Sequence, residues 1–233
     1  ATVDDVQLQT KFEQPYAALD FPFYVVLGNH DYGSNGAGLD YARGQVGVDY
    51  TQKSTKWKMP ARVYKHAVSN VEFFAMDTQQ QLLGNDGQQK TDMKAWMAAS
   101  TARWKIGLGH HPYLSNGPHG NAGNYDGLGF LPGIIPAAGK NIKAFFDDTV
   151  CGKVDLYMSG HDHSRQWMQD TCNGTELVVS GGGASTTELK GSNPSRFQKD
   201  TIGFLYVVVQ GKTLTAEFID GAGTVEFTRT LTK

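Results

Sequence analysis

Five of the seven histidines in this 233-residue chain fall in three short segments. These are Gly28-Asn29-His30-Asp31, Gly109-His110-His111-Pro112 and Gly160-His161-Asp162-His163. Imidazole binds zinc, iron, nickel and copper, while an amide oxygen such as that of Asn29 suits harder ions. A mixture of the two fits a hydrolytic metal centre better than a closed structural zinc site, which favours Cys and His. On extended backbone, residues two apart point the same way. His161 and His163 are therefore expected to reach one region, or two neighbouring ions. His30 directly follows Asn29 and is expected to point the other way, toward a substrate, where it can protonate a leaving alkoxide. Histidines scattered through a core are the alternative, and they would not be expected to collect in three matching segments.

Something must bring these segments together. Each follows an apolar run and opens with glycine, which lets the backbone turn sharply without a Cβ clash. In open sheets, sites form beyond the carboxyl ends of strands, where loops diverge. "FPFYVVLG", "WKIGLG" and "VDLYMSG" read as strands feeding the three segments. "RVYKHAV" and "VEFFAMDT" read as a hairpin turning at Ser69-Asn70. "ELVVSGG", "GFLYVVVQ", "TLTAEFID" and "TVEFTRT" complete the strand-like runs. Residues 7–18 read as a helix ended or kinked at Pro15. Residues 91–100 read as a helix with Met93, Trp96 and Met97 on one face and Thr91 as its cap. "NIKAFFDDT" is a third helix. Residues 31–60 read as a long surface excursion, and the Gly- and Pro-rich stretch 116–139 as loop. Helix alternates with strand early and strands dominate late, which fits an α/β sandwich of two packed, mixed sheets flanked by helices. Residues 1–233 are taken as a single domain.

The bulk numbers narrow the classes. The chain is 39% hydrophobic and 19% charged, with a formal net charge of -2. No basic block points to nucleic acid or to an anionic membrane surface. No apolar run approaches the roughly 20 residues of a membrane span. No signal peptide is apparent, and the first residue is Ala1 rather than Met, as expected of a processed or truncated product. Cys151 and Cys172 are the two cysteines. The strand–loop–strand path between them returns its ends to each other, as a disulfide requires, and a disulfide implies a secreted or periplasmic home. Two free thiols are the alternative. Asn173-Gly174-Thr175 also fits the glycosylation acceptor pattern.

The triplet "GNHD … GHHP … GHDH" resembles the metallophosphoesterase (calcineurin-like) superfamily. "VEFFAMDT", "VDLYMSGHDHSRQWMQD" and the closing strands are similar to its small tartrate-resistant-type purple acid phosphatases. The likeness runs from about Phe12 to Thr230. It implies two mixed sheets flanked by helices, with a dinuclear metal centre at the sheet edge. It implies Asn29, His110 and His161 as ligands of one metal and His163 as a ligand of the other. His30 would contact the phosphate and assist the leaving group. His119, nine residues past His110, would be a second substrate-side and catalytic histidine. His111 stands where that branch often has Tyr and would line the substrate pocket; His66 matches nothing and is taken as a strand-surface residue. The implied activity is hydrolysis of phosphate monoesters, of the acid phosphatase type, by a metal-bound hydroxide. The implied cofactors are iron, zinc or manganese, and the implied partner is a phosphorylated small molecule.

The chain departs from the family pattern at its start. Two upstream motifs supply an Asp ligand, the bridging Asp and a Tyr, and no Gly-Asp pair occurs anywhere in these 233 residues. Two cations roughly 3.5–4 Å apart would repel without the bridge. The Asn29 site keeps three donors, enough for one metal with an open position. The sheet is expected to expose an edge and apolar surface, which an N-terminal piece or another copy would cover. Two other functions stay open: a metal-deficient inactive fragment or binding module, and a phosphodiesterase or nucleotidase.

Overall fold

The computed structural model describes residues 2–33, 36–84, 87–127 and 139–233. Its centre is a seven-stranded mixed sheet in the order β3-β4-β5-β6-β8-β7-β9. The strands are β3 (Tyr64–Val68), β4 (Val71–Ala75), β5 (Trp104–Leu108), β6 (Leu156–Ser159), β7 (Arg165–Met168), β8 (Glu176–Ser180) and β9 (Ser195–Lys199). β4, β5, β6 and β8 run parallel, so their carboxyl ends lie along one edge. β3 and β4 form the expected hairpin, with Ser69 in the left-handed region at φ 54.

The three longest strands, β10 (Gly203–Gln210), β11 (Thr213–Asp220) and β12 (Val225–Thr232), form a second sheet. It is antiparallel throughout rather than mixed. Trp104, Ile106, Leu156, Trp167 and Val178 of the large sheet bury themselves against Leu214, Ala216 and Phe218 of the small one. Burying side chains of this size contributes roughly 1.5–3 kcal/mol each. Two ion pairs also join the sheets: Arg165 to Glu226 at 2.6 Å and Arg229 to Glu176 at 2.5 Å. The Arg165 side chain is fully buried.

Helices cover the other face. α4 (Gly87–Ala99) supplies Met93 and Met97, and α5 (Lys140–Phe145) supplies Ile142 and Phe145. They pack on Phe74, Met76, Tyr157 and Leu177. Cys151 and Cys172 are joined as a disulfide with a Cα–Cα distance of 4.9 Å, and both are buried in this layer.

Several local expectations are corrected. Thr91 lies inside α4, where its hydroxyl donates back to the carbonyl of Gly87 at 3.2 Å, and so it is not the cap. The run "FPFYVVLG" pairs over β1 (Phe23–Tyr24) alone, in parallel with β2 (Trp57–Lys58). Val25 adds one further bond to the Lys58 carbonyl at 3.2 Å, and Leu27 beyond it packs on Tyr32, Met59, Tyr64 and Ala75. The helix expected over 7–18 is α1 (Val6–Leu8) followed by one wide turn (Gln9–Glu13). Residues 31–60 are not a surface excursion: they contain α2 (Gln45–Tyr50), and Tyr32, Tyr50 and Met59 are buried. Residues 128–138 of the expected long loop lie outside the described residues. Outer strand β3 carries exposed Val68, and His66 on the same strand stacks on exposed Tyr24 with ring centroids 3.9 Å apart.

Candidate metal centre

Three segments deliver these histidines to one end of the large sheet. β5 ends at Leu108 and releases Gly109, His110 and His111; β6 ends at Ser159 and releases Gly160 through His163. Asn29 and His30 sit in a single tight turn, Asn29–Tyr32, and Asp31 closes it by accepting from the Gly28 amide at 2.8 Å. Burial raises the Asp31 carboxyl above its ordinary value, while that amide and the charges of His30 and Arg43 pull it down. Tyr32, fully buried, anchors the turn by donating to the Asp77 carboxylate at the start of α3 (Thr78–Leu83).

Three donor atoms converge. His110 Nε2 lies 2.8 Å from Asn29 Oδ1 and 2.9 Å from His161 Nδ1. The Asn29 amide nitrogen donates to the Gly36 carbonyl at 2.7 Å, which leaves its oxygen to face the histidines. Burial pulls His110 down to about 4, with nearby His30, His119 and His163 adding to the effect. Burial likewise holds His161 and His111 well below the ordinary histidine value. Neutral imidazole is the form that ligates metal, and separations near 3 Å between donors suit atoms sharing one ion. The trio therefore fits a single cation. Among the described residues no carboxylate joins the His110, His111 and His161 cluster. A bridged pair of ions does not fit the residues described.

His163 is placed differently. His161 adopts a left-handed conformation at φ 66, so the backbone is not extended here, and the same-side argument for His161 and His163 fails. The His163 side chain is exposed, its Nδ1 is 2.8 Å from Ser185 Oγ, and its carbonyl accepts from Thr187. His119 stacks on His161 with ring centroids 4.1 Å apart, and its Nδ1 is 2.8 Å from Asp126 Oδ1. His111 is buried, 4.6 Å from the His161 ring and 4.9 Å from the His110 ring. His30 is exposed and lines a cavity of about 400 Å³ with Lys11, Phe12, Arg43 and Trp57.

Sequence reasoning passed over Asp126, Ser185 and Thr78, each of which holds one of these rings. Thr78 had a signal, being the last residue of the motif-like run "VEFFAMDT". Asp126 and Ser185 lie in loops with no periodic pattern around them.

A calcineurin-like phosphoesterase family model matches residues 2–165. The chain belongs to that family. Purple acid phosphatase 4 of Arabidopsis thaliana is 27% identical over 95% of this chain and 66% of the relative. Tartrate-resistant acid phosphatase type 5 of Homo sapiens is 24% identical over 95% of the chain and 71% of that protein. The chain thus spans just under two thirds of the first relative's length. Among solved structures, "GAP50 the anchor in the inner membrane complex of Plasmodium" superposes with a TM-score of 0.75 at 21% identity. That match covers 99% of this chain and 73% of the other, and it shows the shared fold. No helix among the described residues is long and apolar enough to cross a membrane.

Proposed function

We propose that this phosphoesterase hydrolyses phosphate monoesters of small molecules with a metal ion held by Asn29, His110 and His161. The observation that carries the reading is the convergence of Asn29 Oδ1 and His161 Nδ1 on His110 Nε2, each within hydrogen-bond distance of it. A cation there would supply Lewis-acid stabilisation of charge developing on the phosphoryl oxygens. Zinc, manganese and iron all suit two imidazoles and an amide oxygen.

The remaining roles belong to the chain. His30 sits at the exposed mouth, on a turn fixed by Asp31 and Tyr32, and delivers a proton to the leaving alkoxide. Asp126 accepts from His119 Nδ1, which leaves Nε2 as the nitrogen available to substrate. The stack of His119 on His161 holds that nitrogen beside the metal ligands. The cavity beside His30 would receive the leaving group. The disulfide supports an oxidising compartment, secreted or periplasmic.

Hydrolysis of an aryl phosphate, with and without added zinc, manganese or iron, tests the reading. Wild-type rates in both His161→Ala and His30→Ala would overturn it.

A second reading has its own observation: no carboxylate among the described residues joins the histidine cluster. On that reading the chain is a metal-poor binding module whose outer strand β3 is completed by a further segment or another copy. Metal analysis separates the two. Two tightly held ions per chain would refute the binding module, and none would refute the hydrolase.

A further inference from the structure

A buried hydroxyl at the start of α3 decides where His111 keeps its proton. Thr78 is fully buried, and its Oγ1 accepts from two backbone amides, those of His110 at 3.2 Å and His111 at 3.1 Å. The same oxygen lies 2.9 Å from His111 Nδ1. A hydroxyl has two lone pairs and one proton. Both lone pairs are occupied by the amides, so the third contact uses the proton: Thr78 donates and His111 Nδ1 accepts. A neutral imidazole holds a single proton, which is then on Nε2. An imidazolium, protonated on both nitrogens, would leave Thr78 Oγ1 with three donors and two lone pairs, so the same count excludes it.

Proximity suggests a different role for the same ring. A nitrogen of His111 lies within 4.8 Å of nitrogens on His110 and His161, which makes it a candidate third imidazole ligand. The hydrogen-bond count argues against that. Nδ1 is accepting from Thr78, and Nε2 carries the proton that a ligand nitrogen must lack. His119 shows the opposite donor arrangement: the Asp126 carboxylate accepts from its Nδ1. Two rings beside His161, at 4.6 Å and 4.1 Å, thus use Nδ1 in opposite ways, His111 accepting and His119 donating.

We infer that Thr78 locks His111 as a neutral N–H donor that stays out of the metal's ligand set and binds an oxygen of a tetrahedral oxyanion held at Asn29, His110 and His161. This rests on the reading of that trio as a phosphate-handling metal site. His111 is then a binding residue, and Thr78 a positioning residue acting through it.

Three measurements on the zinc-loaded chain test this. With ¹⁵N-labelled histidine, long-range proton–nitrogen spectra report which nitrogen of His111 bears the proton. The Nε2–H form is expected in the wild type and in Thr78→Ser, and loss of that bias in Thr78→Val. Zinc dialysis should give the same affinity, within about twofold, for His111→Phe and the wild type. Calorimetry with inorganic phosphate should show binding about three- to tenfold weaker in Thr78→Val and His111→Phe, and restored in Thr78→Ser. An Nδ1–H wild type, a tenfold loss of zinc affinity in His111→Phe, or unchanged phosphate binding in both variants would overturn the inference. A wild type that binds zinc but no phosphate would instead overturn the phosphate-site reading, and the tautomer spectra would still judge Thr78.

Discussion

Gly28 and His110 are in contact: a Cβ built on Gly28 would stand 2.8 Å from Cε1 and Nδ1 of the His110 ring. The glycine that ends the first apolar run is there because an imidazole from another segment occupies the side-chain position. Gly28→Ala must push that ring off its rotamer, at a cost of about 0.5–1.5 kcal/mol. Zinc affinity, measured by competition with a chelating dye, is expected to fall about three- to tenfold while the far-ultraviolet spectrum is unchanged.

The ligand trio and His163 make separable predictions. His161→Ala removes one of three converging donors, and the variant is expected to lose its ion on dialysis. His163→Ala leaves the trio intact and is expected to retain one ion per chain. Plasma emission metal analysis of the two variants checks both outcomes.

Glu226 has a consequence for acid stability. Lys199, and then buried Arg165, hold its carboxyl below the ordinary glutamate value of 4.5. The folded-state value is depressed, so the stabilisation is complete above pH 4.5 and is lost as pH falls through the lower folded value. Glu226→Gln leaves Arg165 without its ionic partner and is expected to cost about 3 kcal/mol at pH 7. The difference between variant and wild type should shrink below the ordinary glutamate range, read by urea unfolding at a series of pH values.

Reducing the Cys151–Cys172 bond reopens a loop with a sequence separation of 21. The loss expected is about 3 kcal/mol. Melting curves with and without reductant, followed by circular dichroism, measure it. Metal content should survive reduction at temperatures where the fold persists, since the bond lies in the helical layer and not among the site residues.

The legible parts of the sequence were those with period or punctuation. β4, β5, β6, β8 and the three long strands all announced themselves as apolar or alternating runs ended by glycine or turn residues. The gathering of Asn29, His110 and His161 followed from the glycines that end three apolar runs, of which two are strands, β5 and β6. Other features were hidden for physical reasons. The run after Phe23 is apolar because Leu27 enters a side-chain cluster with Tyr32, Met59 and Tyr64, not because a sheet covers it. Residues 31–60 bury Tyr32, Tyr50 and Met59 at intervals that match no helix or strand period. Thr91 resembles a cap in isolation, but α4 begins earlier, at Gly87. The orientation of His163 depends on one dihedral angle at His161, which no residue pattern reports.

That dihedral makes His161 the meeting point of two incompatible demands. Its backbone occupies a region where glycine and asparagine are comfortable, while its ring nitrogen belongs to the trio. Glycine would relax the chain and delete the donor; any other imidazole-like replacement would keep the donor and the strain. As long as an imidazole nitrogen is required at this position, the roughly 1 kcal/mol or more stored there stays with the site. In a screen for thermally hardened variants that must also hold the ion, gains are expected throughout the two sheets and codon 161 is expected to come back unchanged; with the ion requirement lifted, glycine is expected there.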